Sequence, residues 1–531
     1  MPSIVTVNVT QTVGPTPATL QSSGALISQG ATSTSPGTSS LLTQLSDLTP
    51  LLQLSKAITA MTWASSTVTA TVSSGHGYTV GDTLPVTIAG VAPTGYNGNY
   101  TITVTSSTQF TYALASNPGS VTVQGTVVVQ DEAELYAMAT TFFAQGTGQS
   151  VYVLELGPGN ANDGVAALQS YITANPNSNY TPGSTGYFYA YLVPREWDGN
   201  TNFLSMLANF ESTTSKTYFF ITTNLTNYVS YTNLMKDAFT LIEAPAYGVW
   251  SANALTAISY ASGVVTASTT TAHGVLVGQW FTISGCTPAG YNGTFQAQAG
   301  TTGTTLVYNL SSNPGTQTVL GTLQASLYAS AGISSTEFSC ASAFYQWLSA
   351  NPSPVNKVAP FSFRYVYGVT PFPTRGNNAL LTTLKTANTN IIGTGAEGGI
   401  SNTILLWGTT EDGHDATYWY SVDWVQINID EMVSNAIING SNNSTNPLYY
   451  NQDGINRLQA ISQTVMNNGI SFGLVLGPAS VAAVPFTTYV TTNPTDYPAG
   501  IYRGLSVTYT PQRGFTQIVF YVNVSAFPTT G

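Results

Sequence analysis

Residues 131–154 read DEAELYAMATTFFAQGTGQSVYVL. Leu135, Met138, Ala139, Phe142 and Phe143 recur at three- and four-residue spacing, which predicts a helix over 131–146 that stops at Gly146. Asp131, Glu132 and Glu134 suit its amino terminus, where the helix dipole favours negative charge. Val151-Tyr152-Val153-Leu154 then predicts a buried strand. A helix running into a buried strand is the repeating unit of an α/β layer.

The alternation continues outward. Ala166–Ile172 reads as a second short helix, and Phe188–Val193 and Thr217–Thr222 as strands. Further on, Ser339–Leu348 predicts a helix, Phe361–Tyr367 a strand, Leu380–Thr389 a helix and Thr403–Trp407 a strand. Tyr418–Ile438 predicts a long helix with Trp424, Ile427, Ile429 and Met432 among its apolar positions, and Gln452–Asn468 another that ends near Gly469. Asn160–Gly164 reads as a turn. It lacks the Gly-Lys-Ser/Thr ending of a phosphate loop.

Two stretches interrupt this pattern and resemble each other. His76-Gly77 and Val80-Gly81 match His273-Gly274 and Val277-Gly278. Gly95-Tyr96-Asn97-Gly98 matches Gly290-Tyr291-Asn292-Gly293, and Ser116–Gly119 matches Ser312–Gly315. Gly125-Thr126 and Gly321-Thr322 close the two copies. Matched motifs in one order at near-equal spacing mark an internal duplication. Alternating runs such as Val68–Val72 and Thr101–Val104, cut by Gly, Asn and Pro, predict an all-β sandwich of about seven strands for each copy. The copies resemble the Ig-like modules with a Tyr-Asn-Gly turn that are inserted in phage virion proteins.

The expected fold class is therefore an α/β (α+β) core with two inserted all-β Ig-like sandwich modules and extended terminal arms. The expected segments are 1–56 (arm and start of the core), 57–130 (first module), 131–253 (core), 254–326 (second module), 327–514 (core) and 515–531 (arm). Tyr96 and Tyr291 are expected as buried anchors of tight turns. The competing reading places them with Trp63 and Trp280 on a sugar-stacking face. His76 and His273 lack partner ligands at metal spacing and are expected in turns or core.

Composition narrows the function. The chain has 531 residues, 43 % of them apolar and only 6 % charged, with a net charge of −11. Neutral surfaces repel copies of themselves weakly, so the chain tolerates close packing against many neighbours. Its eleven Lys and Arg are scattered, which argues against nucleic-acid binding. No apolar run approaches the ~20 residues of a membrane span, so no membrane partner is expected. Met1-Pro2-Ser3-Ile4 leads straight into a strand-like pattern, which predicts no cleaved leader. Cys286 and Cys340 are expected as buried free thiols. No metal and no cofactor is expected. The best catalytic candidate is Glu411-Asp412-Gly413-His414-Asp415, set against its reading as a solvated loop with an Asp helix cap. With no second set of ligands, the chain is read as a non-enzyme.

Both ends carry strand-like runs. Ile4, Val5, Val7 and Val9 alternate near the start. Ile518, Val519, Phe520, Tyr521, Val522 and Val524 form a longer apolar run near the end. Such segments can add strands to a neighbour's sheet, with backbone hydrogen bonds holding the link.

Several motifs in the core resemble contractile tail sheath proteins of bacteriophages of the myovirus type. They are Phe142–Gly146 before Val151–Val153, the run Phe363–Val369, the stretch Gly408–Trp424 with Asp412-Gly413, Asp415 and Asp423-Trp424, and Asn451–Ile455. The resemblance implies a structural subunit that polymerises helically around a tail tube and contracts to drive the tube through the host envelope. It implies as partners other copies of the chain, the tube protein, and the baseplate and tail-terminator proteins. It also implies a place in the virion tail after assembly in the host cytoplasm. The alternative is a carbohydrate-binding adhesin or fibre that uses the two β modules.

Overall fold

Tyr218–Thr223 and Ala238–Ile242 are buried at every position, as strands are when helices cover both faces of a sheet. A computed structural model describes residues 19–52, 56–73, 80–81, 83–181, 183–212, 215–231, 235–243, 253–270, 273, 275, 280–325, 337–372, 378–394, 402–515 and 521. The two runs belong to a six-stranded sheet ordered Ala238–Ile242, Tyr218–Thr223, Ala190–Leu192, Gly24–Ser28, Val151–Glu155 and Ser39–Leu42. Neighbours run parallel, except that Ser39–Leu42 lies antiparallel on Val151–Glu155 at the edge.

Alternating residues feed two cores. Leu26, Val153, Phe220 and Phe239 face α1 (Gln130–Ala144) and α4 (Ser339–Leu348), where Phe142, Phe344 and Trp347 fill the layer. Ile27, Leu154, Phe219 and Ile221 face α2 (Ala161–Ala174) and α3 (Thr201–Phe210), with Leu168, Phe203 and Met206. The result is a three-layer α/β core. α4 sits so close to the sheet that a Cβ at Gly24 would lie 2.4 Å from Leu348. Both cysteines are buried and free.

Three expectations change here. Asn160–Gly164 is not a separate turn but the start of α2. The Asn160 side chain accepts from Asn162 N and Asp163 N, and the Asp163 carboxylate accepts from Asn160 N, a reciprocal cap. Gly164 disfavours a helix by propensity, but a Cβ there would strike Gln29 and Trp197, so packing selects glycine. Phe361–Tyr367 does not form a continuous strand, because Phe363 takes a left-handed φ of +65°. The segment still exchanges backbone bonds with the hairpin Ile391–Thr394/Thr403–Leu406, through Phe363 N to Leu405 O and Val366 N to Thr403 O. α5 (Asn378–Thr386) packs Leu384 into the small core beside that hairpin.

The third change concerns the duplicated modules. The first is a closed six-stranded barrel, not a two-sheet sandwich. Its ring runs Lys56–Ala64, Thr67–Val72, Gln109–Ala113, Gly98–Ser106, Thr83–Ala89, Thr126–Val129 and back to Lys56–Ala64. Bulges between Ile58 and Ala60 and between Val104 and Ser106 bend the strands. The first strand pairs with Thr126–Val129 at one end and Thr67–Val72 at the other, and the pairing of Gly98–Ser106 with Gln109–Ala113 closes the ring. The second module keeps the same strand order but is open between Gly293–Gln296 and Thr305–Asn309. Beyond Gln296 its chain turns through Gly300 (φ +99°), and the Thr301 hydroxyl accepts from Val307 N in place of a ladder bond.

Candidate assembly surface

After the small hairpin the chain enters α6 (Ala416–Asn442), capped by the Asp415 side chain accepting from Thr417 N at 2.8 Å. Its first half is buried against the core. Asp423 is fully buried and accepts from the Tyr189 and Tyr218 hydroxyls at 2.8 and 2.7 Å. Burial lifts its carboxyl to about 6, against the pull of Lys236 and the two hydroxyls. Lys236 Nζ sits 4.3 Å from the Trp419 ring centre and donates to Ser215 O. The second half of α6 leaves the core, and Ile437 and Ile438 stand exposed.

α7 (Gln452–Ser471) returns along α6, its start capped by Asn451 accepting from Gly454 N. On it lies a two-stranded sheet, Val475–Ala483 paired antiparallel with Leu505–Pro511, and between them sits α8 (Phe486–Thr492). Val475, Ala479 and Val481 are buried in one cluster with Val465 and Met466 of α7. Leu505, Val507 and Tyr509 pack against the same cluster, while Ser506, Thr508 and Thr510 are exposed.

The two edges of this sheet differ. Along Val475–Ala483, α7 supplies amides in place of a third strand. Gln463 Nε2 donates to Ala479 O, Val481 N donates to Gln463 Oε1, and Gln459 Nε2 donates to Val481 O, all at 2.8–2.9 Å. Along Leu505–Pro511, no strand pairs with the outer edge among the described residues. Val481 faces Val507 in the ladder. Because the Val481 N–H and C=O turn away from its partner, those of Val507 turn away too, toward the open edge. The strand itself, Leu-Ser-Val-Thr-Tyr-Thr-Pro, carries no charge.

The residues singled out by sequence fall as follows. The arm residues Ile4, Val5, Val7, Val9, Ile518, Val519, Phe520, Val522 and Val524 lie outside the described residues, and Tyr521 is exposed. Of the Glu411–Asp415 side chains only Asp412 and His414 meet, and the others turn to separate partners. Glu411 is buried against the Thr240 hydroxyl, and burial pushes its carboxyl up to about 8. Asp412 accepts from the Trp419 indole at 2.8 Å and pairs with His414 Nδ1 at 2.9 Å. Asp415 caps α6. Among the described residues no group of three His, Cys, Asp or Glu is placed to hold a metal ion.

Asp131 and Glu132 do stand in the first turn of α1, but buried, where burial lifts Asp131 well above the carboxylate range and Glu132 to about 7. Tyr96 and Tyr291 are buried, each hydroxyl donating to a carbonyl in its own module, Gly119 and Gly315. Trp63 donates its indole N–H to Leu114 O. His273 is buried, with Nδ1 accepting from Val275 N, and His76 lies outside the described residues. No described helix is long and apolar enough to cross a membrane. The open-edged hairpin escaped sequence reading, because Gly477-Pro478 reads as a turn and not as a strand interior.

No protein-family model matches the chain, and no curated protein matches it. Solved structures do. One is a chain of the anti-feeding prophage baseplate, at 10 % identity and a TM-score of 0.47, covering 99 % of both chains. Another is a sheath tail protein from Listeria innocua, at 9 % identity and a TM-score of 0.38, covering 94 % of this chain and 93 % of that one. The structural neighbours are phage-tail-type proteins.

Proposed function

We propose that the chain is the structural subunit of a contractile tail sheath, polymerising helically around a tail tube and contracting to drive that tube through an envelope. The observation that carries this reading is the open, uncharged Leu505–Pro511 edge, on a sheet whose other edge is already occupied by Gln459 and Gln463. An edge left free beside one so fully satisfied suits the acceptance of another copy's strand.

The donors are the runs around Ile4, Val5, Val7 and Val9 and around Ile518, Val519, Phe520, Tyr521, Val522 and Val524. Head-to-tail links of this kind do not close on themselves and generate a helix. The near-absence of surface charge fits dense packing among copies. Its partners would be itself, the tube, the baseplate and the terminator proteins, within a virion tail. The two β modules are carried on the core as insertions. Tyr96 and Tyr291 are buried, which takes two of the four aromatics away from a sugar-stacking face, while Trp63 is half-buried.

Negative-stain microscopy of the purified chain tests this. Tubes of regular helical pitch are expected. Deleting residues 1–12 or 515–531 is expected to abolish them, and unchanged tubes after both deletions would remove the arm mechanism.

A further inference from the structure

Gly24–Ser28 is the first parallel strand of the sheet in chain order. The second, Val151–Glu155, lies on one side of it and the third, Ala190–Leu192, on the other. The strand order therefore reverses at Gly24–Ser28. Open α/β sheets bind ligands at such a point, outside the carboxyl ends of the strands.

In this chain two of its own side chains stand there. Glu155 ends the second strand opposite Ser28, the last residue of the first, and is only 1 % exposed. Its Oε1 accepts from Gly30 N and Gly157 N, both at 2.7 Å. Its Oε2 accepts from the Ser28 hydroxyl at 2.6 Å, the Thr32 hydroxyl at 2.7 Å and Thr32 N at 3.1 Å. No Lys, Arg or His pairs with it among the described residues. Gly30 and Gly157 take φ of +82° and +91°, which lets both N–H groups meet on one oxygen. Beside Glu155, the buried Gln29 accepts from the Trp197 indole at 2.9 Å and donates to Asn160 O at 2.6 Å. Trp197 follows the third strand and Asn160 caps α2, so Gln29 spans the reversal.

Three backbone N–H groups and two hydroxyls converge on one carboxylate with no cation beside it, which is how a protein holds an anion by its dipoles alone. We propose that this is the anion site of the sheet, that the chain's own Glu155 is its permanent occupant, and that it fastens the root of the first module instead of taking a ligand. The fastened loop reaches the module directly. Thr32 bridges to Leu52, and Ser33 N donates to Leu51 O at 2.8 Å, just ahead of the first barrel strand at Lys56.

The test is chemical rescue in the full-length chain. Glu155→Ala removes one methylene and one carboxylate, the heavy atoms of acetate. The variant is expected to melt well below the parent. Acetate at about 0.2 M is expected to raise its melting temperature by at least about 2 °C beyond the rise given by chloride. The parent and Glu155→Gln, whose sites are filled, are expected to show no such excess. Should Glu155→Ala be recovered only as aggregate, its soluble yield on refolding is compared in the two salts, and acetate is expected to give at least about twice as much. Amide hydrogen exchange at Gly30, Thr32 and Ser33 is expected to quicken in the variant and to slow again in acetate. An equal response to both salts, the same excess in the parent or in Glu155→Gln, or unchanged exchange at those amides would overturn the proposal. All readings are made on unassembled chains, so their failure and a failure of tube assembly are separate results.

Discussion

The first barrel and the C-terminal hairpin meet the same difficulty in opposite ways. Both are small sheets with strand edges to satisfy. The barrel pairs Gly98–Ser106 with Gln109–Ala113, where the second module stays open, and no edge remains in its ring. The hairpin has one edge taken by glutamine side chains and the other without a paired strand among the described residues. A closed sheet is finished within its own chain, and a half-closed one has room for a strand from elsewhere. On the proposed reading, assembly would fall to the lobe built on α6 and α7, while the barrel is a self-contained body.

The largest expected effect comes from blocking the open edge. Val507→Pro removes an outward N–H without touching the bonds to Val475–Ala483, so tubes should disappear from negative-stain images while the chain still folds, destabilised by about 0.5–3 kcal/mol. Tubes that persist would mean that the edge is not the acceptor.

Next comes closure of the barrel. A Cβ at Gly125 would lie 2.1 Å from Ala89 O, so Gly125→Ala should cost the module at least ~3 kcal/mol. Calorimetry should show the barrel melting early as its own transition, with tube formation preserved. A single shifted transition for the whole chain would undo the contrast.

Smaller again is the loss of the glutamine cap. Gln463→Ala leaves Ala479 O and Val481 N unpaired and should destabilise by about 1–3 kcal/mol. It also gives the hairpin a second open edge, so irregular aggregates should increase in light scattering.

The smallest effect is a pH dependence of the core. Glu411 is held near 8, above its unfolded value, by burial. The folded state therefore binds the extra proton, and stability falls as pH rises from about 4.5 to 8, then levels off. Asp423, near 6, adds to the lower part of that window. Glu411→Gln should raise the melting temperature at pH 8.5 and flatten the profile. An unchanged profile would exclude Glu411 as its source.

Much of this architecture was legible where local signals and packing agree. Ser339–Leu348 was bounded correctly at both ends, because its apolar run is also its buried run. Ala416–Asn442 and Gln452–Ser471 were found from periodicity, although both run past the expected ends. What escaped was decided by distant contacts. Gly24–Ser28 lies at the middle of the sheet, yet five residues buried on both faces show no alternation. Phe363 takes a left-handed φ that nothing in a Phe-Arg-Tyr-Val-Tyr run announces. The duplication itself was plain, but whether six strands close into a ring depends on the one pairing of Gly98–Ser106 with Gln109–Ala113, which leaves no mark in a short alternating run. The candidate surface was half legible. The alternating terminal runs stood out, but apart from Tyr521 they lie outside the described residues, and the strand edge of the C-terminal hairpin lay behind Gly477-Pro478.

The pairing of Lys56 with Val127, and of Asn253 with Leu323, has a bearing on how the chain finds its fold. Each inserted module enters and leaves at adjacent points. Once folded, it joins its flanking core segments as though they were separated by a few residues. For Ser39–Leu42 and Val151–Glu155, which must meet across the whole first module, a finished barrel lowers the entropy of closure by about 1 kcal/mol. A nascent chain that completes the barrel before Val151 emerges thus carries its earliest strands as a short tether, ready for the residues still to come.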